Sequence, residues 1–251
     1  MLLWLCFSLI LFPSYQFEQS KAIIIFFSRA GENYNVGTVE KGNTEMIVDY
    51  LKEVTSITTF KINPETAYPE NYQEMVTLAQ NEKNSNARPA IKDPLTDISN
   101  YDTILLGYPI WHGDLPNIVM TQLELLNFEG KTIYPFNTHE GSGLGRSIND
   151  IRNSAPNADV KNGFALRGTE ARKESSHESI RKWLNDELEL NISNNENNEN
   201  NQSSQSSEIT GNNEGGNSDK AETSESISKF SNKNNFIKIS LISIISAFIF
   251  L

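Results

Sequence analysis

Three short stretches carry residue types that could hold a ligand, and each follows an apolar run. The first is SRAGENYNVGTVEKGNT, residues 28–44, with Ser28 at one end and Gly42, Asn43 and Thr44 at the other. Small hydroxyl and amide residues between a strand and a helix suit a phosphate: they offer free backbone N–H groups, the positive end of a helix and side-chain donors. The helix dipole contributes only about 0.3–2 kcal/mol per anion, so several hydrogen bonds must share the load. Lys41 is close by, but the spacing is not the G-x-x-x-x-G-K-[ST] of nucleoside triphosphatases. Asn43 or Thr44 would also serve as the cap of any helix.

The second stretch is GYPIWHGDLP, residues 107–116. Pro109 and Pro116 should forbid regular pairing at both ends and leave Trp111 on a stiff loop, flanked by Ile110, His112 and Gly113. A large flat ring held there is costly unless something flat lies against it. The third, NTHEGSGLGRS (residues 137–147), has glycines at 141, 143 and 145, which let the backbone approach a ligand closely. Its spacing does not fit the G-x-G-x-x-G dinucleotide fingerprint, and it follows the fourth strand. Together the stretches supply a phosphate cradle, a stacking ring and a polar rim. That describes a site for a flat heteroaromatic group carrying one phosphate.

The elements that must position these loops follow from periodicity. Residues 21–27 (KAIIIFF), 56–62, 103–107, 131–136 and 160–166 read as strands, the first a continuous apolar run suited to a sheet covered on both faces. Residues 44–54, 72–83, 117–126, 144–152 and 176–188 read as helices. Five β-α pairs in one domain imply an open, doubly wound parallel sheet of the α/β class. Ligands of such sheets bind beyond the carboxyl ends of the strands, where the three loops lie.

Over residues 21–170 the sequence resembles the flavodoxins. The resemblance is carried in order by IIIFFSRAGENY with GNTE, YPENYQEM, YDTILLGYPIWHGDLP, LNFEGKTIYPFNTHEGSGLG and GFALRGTE. It implies a flavodoxin-like five-stranded sheet of order 2-1-3-4-5 in a three-layer α/β/α arrangement, with FMN as cofactor. Flavodoxin is itself the standing example of FMN at the switch between the first and third strands. By this resemblance Ser28, Asn43 and Thr44 hold the phosphate, with the N–H groups of Arg29, Ala30 and Gly42. Pro109, Ile110, Trp111, His112 and Gly113 face the isoalloxazine, and the Gly113 peptide hydrogen-bonds its N5 in one redox state. Thr138, His139, Gly141, Ser142 and Gly143 line the far edge. Two departures stand out: the usual S-x-T-G-N-T loop is replaced by a long loop with residues 29–41 inserted, and Trp111-His112 stands where relatives commonly have two tryptophans. Asp114 and Glu140 are expected to disfavour an anionic reduced flavin. A charge ~8 Å away at an effective dielectric of ~20 is worth roughly 2 kcal/mol.

The chain of 251 residues carries a formal charge of −11 and no basic stripe, which sets nucleic acid aside as a partner. His112, His139 and His177 read first as solvated histidines, and none pairs with carboxylates at metal-ligand spacing. Residues 1–16 contain LLWLCFSLILF, short for a span but right for a signal peptide, and Cys6 within it is the sole cysteine. Residues 17–190 form the domain. Residues 191–235, rich in Asn, Ser and Glu, cannot bury enough surface to order themselves and read as a disordered stalk. The stalk holds the sequons Asn191-Ile-Ser193 and Asn201-Gln-Ser203, as expected of a glycoprotein. Residues 236–251 read as a hydrophobic anchor or a GPI signal. The expectation is therefore a secretory-pathway protein tethered to a membrane, or a cytoplasmic one if the apolar ends belong to the fold. Its function is electron transfer by an FMN-binding protein with an unknown redox partner and no catalytic side chain. The alternatives are an FMN-dependent NAD(P)H:quinone-type reductase and a cofactor-free surface binding module.

Overall fold

The structure, a computed structural model, describes residues 17–190 and 192. All of them fall in the first of two units, Met1–Asn197; the second, Asn198–Leu251, lies outside the described residues. The expected signal peptide, the stalk apart from Ile192, and the C-terminal anchor also lie outside them. No helix among the described residues is long and apolar enough to cross a membrane.

In chain order the elements are β1 (Ala22–Phe26), β2 (Gly31–Asn33), β3 (Gly37–Val39), α1 (Asn43–Val54), β4 (Thr58–Lys61), β5 (Asn63–Pro64) and α2 (Tyr72–Asn84). Then come β6 (Ile91–Lys92), β7 (Thr103–Pro109), α3 (Asn117–Glu124), β8 (Thr132–His139), α4 (Ser147–Ser154), β9 (Asp159–Val160), β10 (Phe164–Arg167), α5 (Gly168–Ala171) and α6 (Ser176–Leu188). The main sheet is parallel and runs β10-β8-β7-β1-β4, with β9 also paired to β8. Counted by the five principal strands this is the 2-1-3-4-5 order, in three layers.

Every residue of β1 is buried, and its side chains alternate between the two faces. Ile23 and Ile25 join Ile104, Leu106, Ile118, Leu123 and Ile151 under α3 and α4. Ile24 and Phe26 join Leu105, Ile47, Leu51, Ile180 and Leu184 under α1 and α6. Each such side chain stabilises the fold by about 1.5–3 kcal/mol of transfer free energy.

Two prolines shape the sheet where it meets the loops. The last β1–β7 bond runs from Phe27 N to Gly107 O at 2.9 Å, so the parallel register brings residue 109 to the Phe27 carbonyl. That residue is proline, which has no N–H, and β1 leaves the sheet there. On its other side β7 continues: Pro109 pairs with Thr138, and Ile110 N donates to Thr138 O at 2.8 Å. The expectation that Pro109 ends all regular pairing is thus corrected; it ends pairing toward β1 only. Pro135 acts in the same way on β8. Lys161 N donates to Ile133 O at 2.9 Å, so the register offers Pro135 to the Lys161 carbonyl. The strand expected at 160–166 therefore breaks into β9 and β10, with three residues facing two on β8. Two smaller antiparallel pairs, β2–β3 and β5–β6, were not expected. The helix expected from residue 144 begins at Ser147, because Gly143 and Gly145 hold positive φ angles of 58° and 53°.

Candidate functional site

At the end of β1 the chain turns back against α1. Ser28 Oγ accepts from Glu45 N at 3.1 Å, so the helix is capped across the turn by Ser28. Gly42 occupies the N-cap with no side-chain bond, which corrects the expectation that Asn43 or Thr44 serves as the cap. A Cβ on Gly42 would fall inside contact distance of Ser28 Oγ and Arg29 O; this close approach requires glycine. The N–H groups of Asn43 and Thr44 are in the first turn and have no partner within the helix. Thr44 Oγ1 and Thr138 Oγ1 lie 2.8 Å apart, joining the first loop to the third. Asn43 Oδ1 accepts from Arg172 Nη1 at 3.1 Å.

Trp111 sits on a tight hairpin. Trp111 and Asp114 exchange backbone hydrogen bonds of 3.1 and 2.9 Å, with φ of +50° at His112 and +80° at Gly113. Positive φ at both central residues is the turn that matches strand twist. Asp114 secures it from below. Its buried carboxylate accepts from Arg146 Nε and Nη2, each at 2.7 Å, and pairs with Lys83 Nζ at 2.7 Å. Burial pushes this carboxyl up, but the Arg146 fork and Lys83 outweigh it and hold it below the usual range. Lys83 also donates to His112 O at 3.0 Å, and His112 Nε2 lies 2.9 Å from Val76 O. His112 is exposed on its loop, as expected of a solvated histidine, and is also tethered to α2. His177 is half-buried instead, its ring stacked on Tyr50 at 3.8 Å and 11°. The Trp111 indole meets Phe27 and Tyr68 edge-on, with centroids at 5.3 and 5.0 Å. Part of the aromatic surroundings expected of a ligand is supplied by the protein.

A cavity of about 410 Å³ opens between these loops. Ten of the expected residues line it: Ser28, Arg29, Asn43, Thr44, Pro109, Ile110, Trp111, His112, Thr138 and His139. Ala30, Gly42, Gly113, Gly141, Ser142 and Gly143 are not in its lining. Gly42 is packed on Ser28, and Gly113 O accepts from Arg146 N at 2.8 Å, which directs that peptide toward α4. Gly141 N donates to His139 Nδ1 at 2.9 Å. Burial, then the nearby Arg167, lowers the His139 pKa, with Glu140 opposing. Of the two carboxylates expected near a ligand, only Glu140 lines the cavity. Asp114 faces a second, polar cavity of about 340 Å³ and is paired there.

Sequence reasoning missed Asn33, Tyr34, Tyr72, Met75, Val76 and Ala79 as lining residues. The last four had a legible signal, since they recur at i, i+3, i+4 and i+7 on α2. Asn33 and Tyr34 reach the cavity on the β2–β3 hairpin. Its brace is Arg29: Nε and Nη2 donate to Pro69 O at 3.0 and 2.7 Å, Nη2 to Glu70 O at 2.7 Å, and Nη1 to Glu32 O at 2.7 Å. The Arg29 side chain is thus an architectural clamp.

A family model described as Flavodoxin matches residues 21–187. Among solved structures, a candidate flavoprotein from Bacteroides eggerthii DSM 20697 is 28% identical, with a TM-score of 0.51, over 66% of this chain and 96% of its own. A second, from Bacteroides uniformis ATCC 8492, is 24% identical with a TM-score of 0.54, over 66% of this chain and 99% of its own. The match to nearly all of each relative places a full copy of the fold within this chain. A flavoprotein in complex with FMN from Lactobacillus acidophilus NCFM is 21% identical, with a TM-score of 0.46, over 62% of this chain and 99% of its own. No curated protein matches the chain.

Proposed function

The chain belongs to the flavodoxin family, and from that premise we propose that it binds FMN between its three loops and acts in electron transfer. One observation carries the reading: a single cavity is bounded at once by the first turn of α1 and by Trp111. Its volume falls within the ~300–1,000 Å³ of small-molecule sites. The phosphate would take the N–H groups of Asn43 and Thr44 and the hydroxyls of Ser28, Thr44 and Thr138. The flat ring would lie along Trp111, Pro109 and Ile110. When bound, FMN would supply one- and two-electron chemistry, and the polypeptide would set its access and potential. The test is the visible spectrum of the purified protein and its quenching of added FMN fluorescence. A colourless protein that leaves FMN fluorescence unchanged ends this reading and favours a cofactor-free binding module.

A second reading, an FMN-dependent reductase of quinone-type acceptors fed by NAD(P)H, is favoured by the apolar stripe of α2 and by Tyr34, which add apolar and aromatic wall to the same cavity. Rapid mixing with NADPH separates the two, since direct fast bleaching is expected of the reductase alone. The membrane tether is also a proposal, supported by the apolar sequence of residues 236–251. Detergent phase partitioning before and after phospholipase C tests it: a GPI-anchored form moves to the aqueous phase on treatment, and a retained helix does not.

A further inference from the structure

We infer that Tyr34, backed by Tyr72, is a second stacking surface in this cavity, and that it takes a flat, uncharged aromatic acceptor of the quinone class. The inference rests on the FMN reading and deepens it by naming what shares the cavity. Tyr34 is 54% exposed, one of two large apolar side chains left so open among the described residues. It contributes nothing to the core, yet its ring is held in place. It stacks on Tyr72 at 5.8 Å and 28°, and both rings line the cavity that Trp111 lines. The arm beneath is braced throughout. Arg29 gives four bonds to carbonyls, Glu32 N donates to Glu70 O at 2.8 Å, and Glu32 Oε2 accepts from Tyr72 N at 2.9 Å. A Cβ on Gly31 would meet Glu70 O at 2.8 Å, so the arm lies tight on the start of α2. An exposed ring on so constrained a support is a preorganised surface, which costs little to order on binding.

The chemistry of the wall around this pair selects the occupant. Met75, Val76 and Ala79, on the same helix as Tyr72, add apolar lining to the cavity. Among the described residues the only Lys or Arg in the lining is Arg29, whose guanidinium is already committed to backbone carbonyls. A second phosphate-bearing molecule, such as a nicotinamide dinucleotide, finds no free cation among these lining residues, whereas a neutral flat ring finds two tyrosine faces.

The experiment is calorimetric titration of 2-methyl-1,4-naphthoquinone into the FMN-loaded protein, with FMN affinity measured in parallel, for the wild type, Tyr34→Ala and Tyr34→Phe. The expected result is a roughly three- to tenfold weaker quinone affinity for Tyr34→Ala, near-wild-type affinity for Tyr34→Phe, and FMN affinity unchanged in both. Unchanged quinone affinity in Tyr34→Ala overturns the surface and leaves the FMN reading standing. Weakened FMN affinity in that variant also overturns it, by placing Tyr34 on the cofactor. A Tyr34 dependence of NADP⁺ binding, with none for the quinone, overturns the ligand class. Failure of the wild type to take up FMN overturns both readings together.

Discussion

Gly42 shows how one missing atom can set a site. Its Cα packs so closely on Ser28 Oγ and Arg29 O that no side chain fits between the turn and the first turn of α1. Gly42→Ala must push the two apart, which costs about 1–3 kcal/mol in overpacking and pulls the Ser28 hydroxyl from Glu45 N. We expect a lower urea midpoint and at least tenfold weaker FMN uptake, read by fluorescence quenching; full retention of both would show that the turn is pliable. Asp114 governs the other wall. Its pKa lies below the ordinary 3.8, so it contributes stability that is present above that value and lost as pH falls through its folded value. Asp114→Asn should therefore be less stable than wild type at neutral pH, with the gap closing below about pH 4. Comparing variant with wild type isolates Asp114 from Glu82, whose carboxyl burial shifts upward; Asp150, shifted upward by burial and also by the Asp114 charge, moves with it. A gap constant from pH 7 to pH 3 would rule the ion pairs out as its source. Residue types pointed to Ser28, Thr44 and Trp111, which line the cavity, because hydroxyl, helix start and loop indole each have few uses. Gly113, Gly141 and Gly143 are outside its lining, and glycine in a sequence says where a backbone can bend and not what it then faces.

The strands and helices of the main sheet were legible because apolar runs of five to seven residues and amphipathic stretches of about twelve leave little ambiguity. The β2–β3 hairpin was not. Its strands have three residues each, are largely exposed, and are held by Arg29 and Glu70 rather than by a hydrophobic face. Nor could the split of the fifth strand be read, since it depends on which carbonyl the register brings to Pro135. The hairpin brace makes a prediction of its own. Arg29→Lys keeps the charge but loses the planar fork that reaches Pro69, Glu70 and Glu32 together. Amide exchange across residues 31–39 should speed up by about tenfold or more, while the amides of β1 and β7 stay protected. Uniform loss of protection would mean that Arg29 supports the entire domain, and no change would mean that the clamp is idle.

Among the described residues each face of the sheet carries a hydrophobic core, and the cavity lies where β1 withdraws from β7, so core and cavity meet there. Phe27 belongs to the core, yet its ring touches Trp111 in the cavity wall. Ligand binding there must couple to the stability of the domain, because the unfolded chain keeps neither the α1 turn nor the Trp111 hairpin. If FMN binds the folded form alone, a free concentration one hundred times its Kd adds about 2.7 kcal/mol. For a domain of this size each kcal/mol moves the melting temperature by about 2–4 °C, so a rise of roughly 5–10 °C is expected. Riboflavin tests the division of labour, since it carries the flat ring without the phosphate. It should give a clearly smaller rise than FMN at the same concentration, because the contacts at Ser28, Asn43, Thr44 and Thr138 are then unused. Equal shifts from both would leave the α1 turn without a role in binding. A flat response to both would separate the cavity from flavin altogether, and the family's fold would then serve a different ligand here.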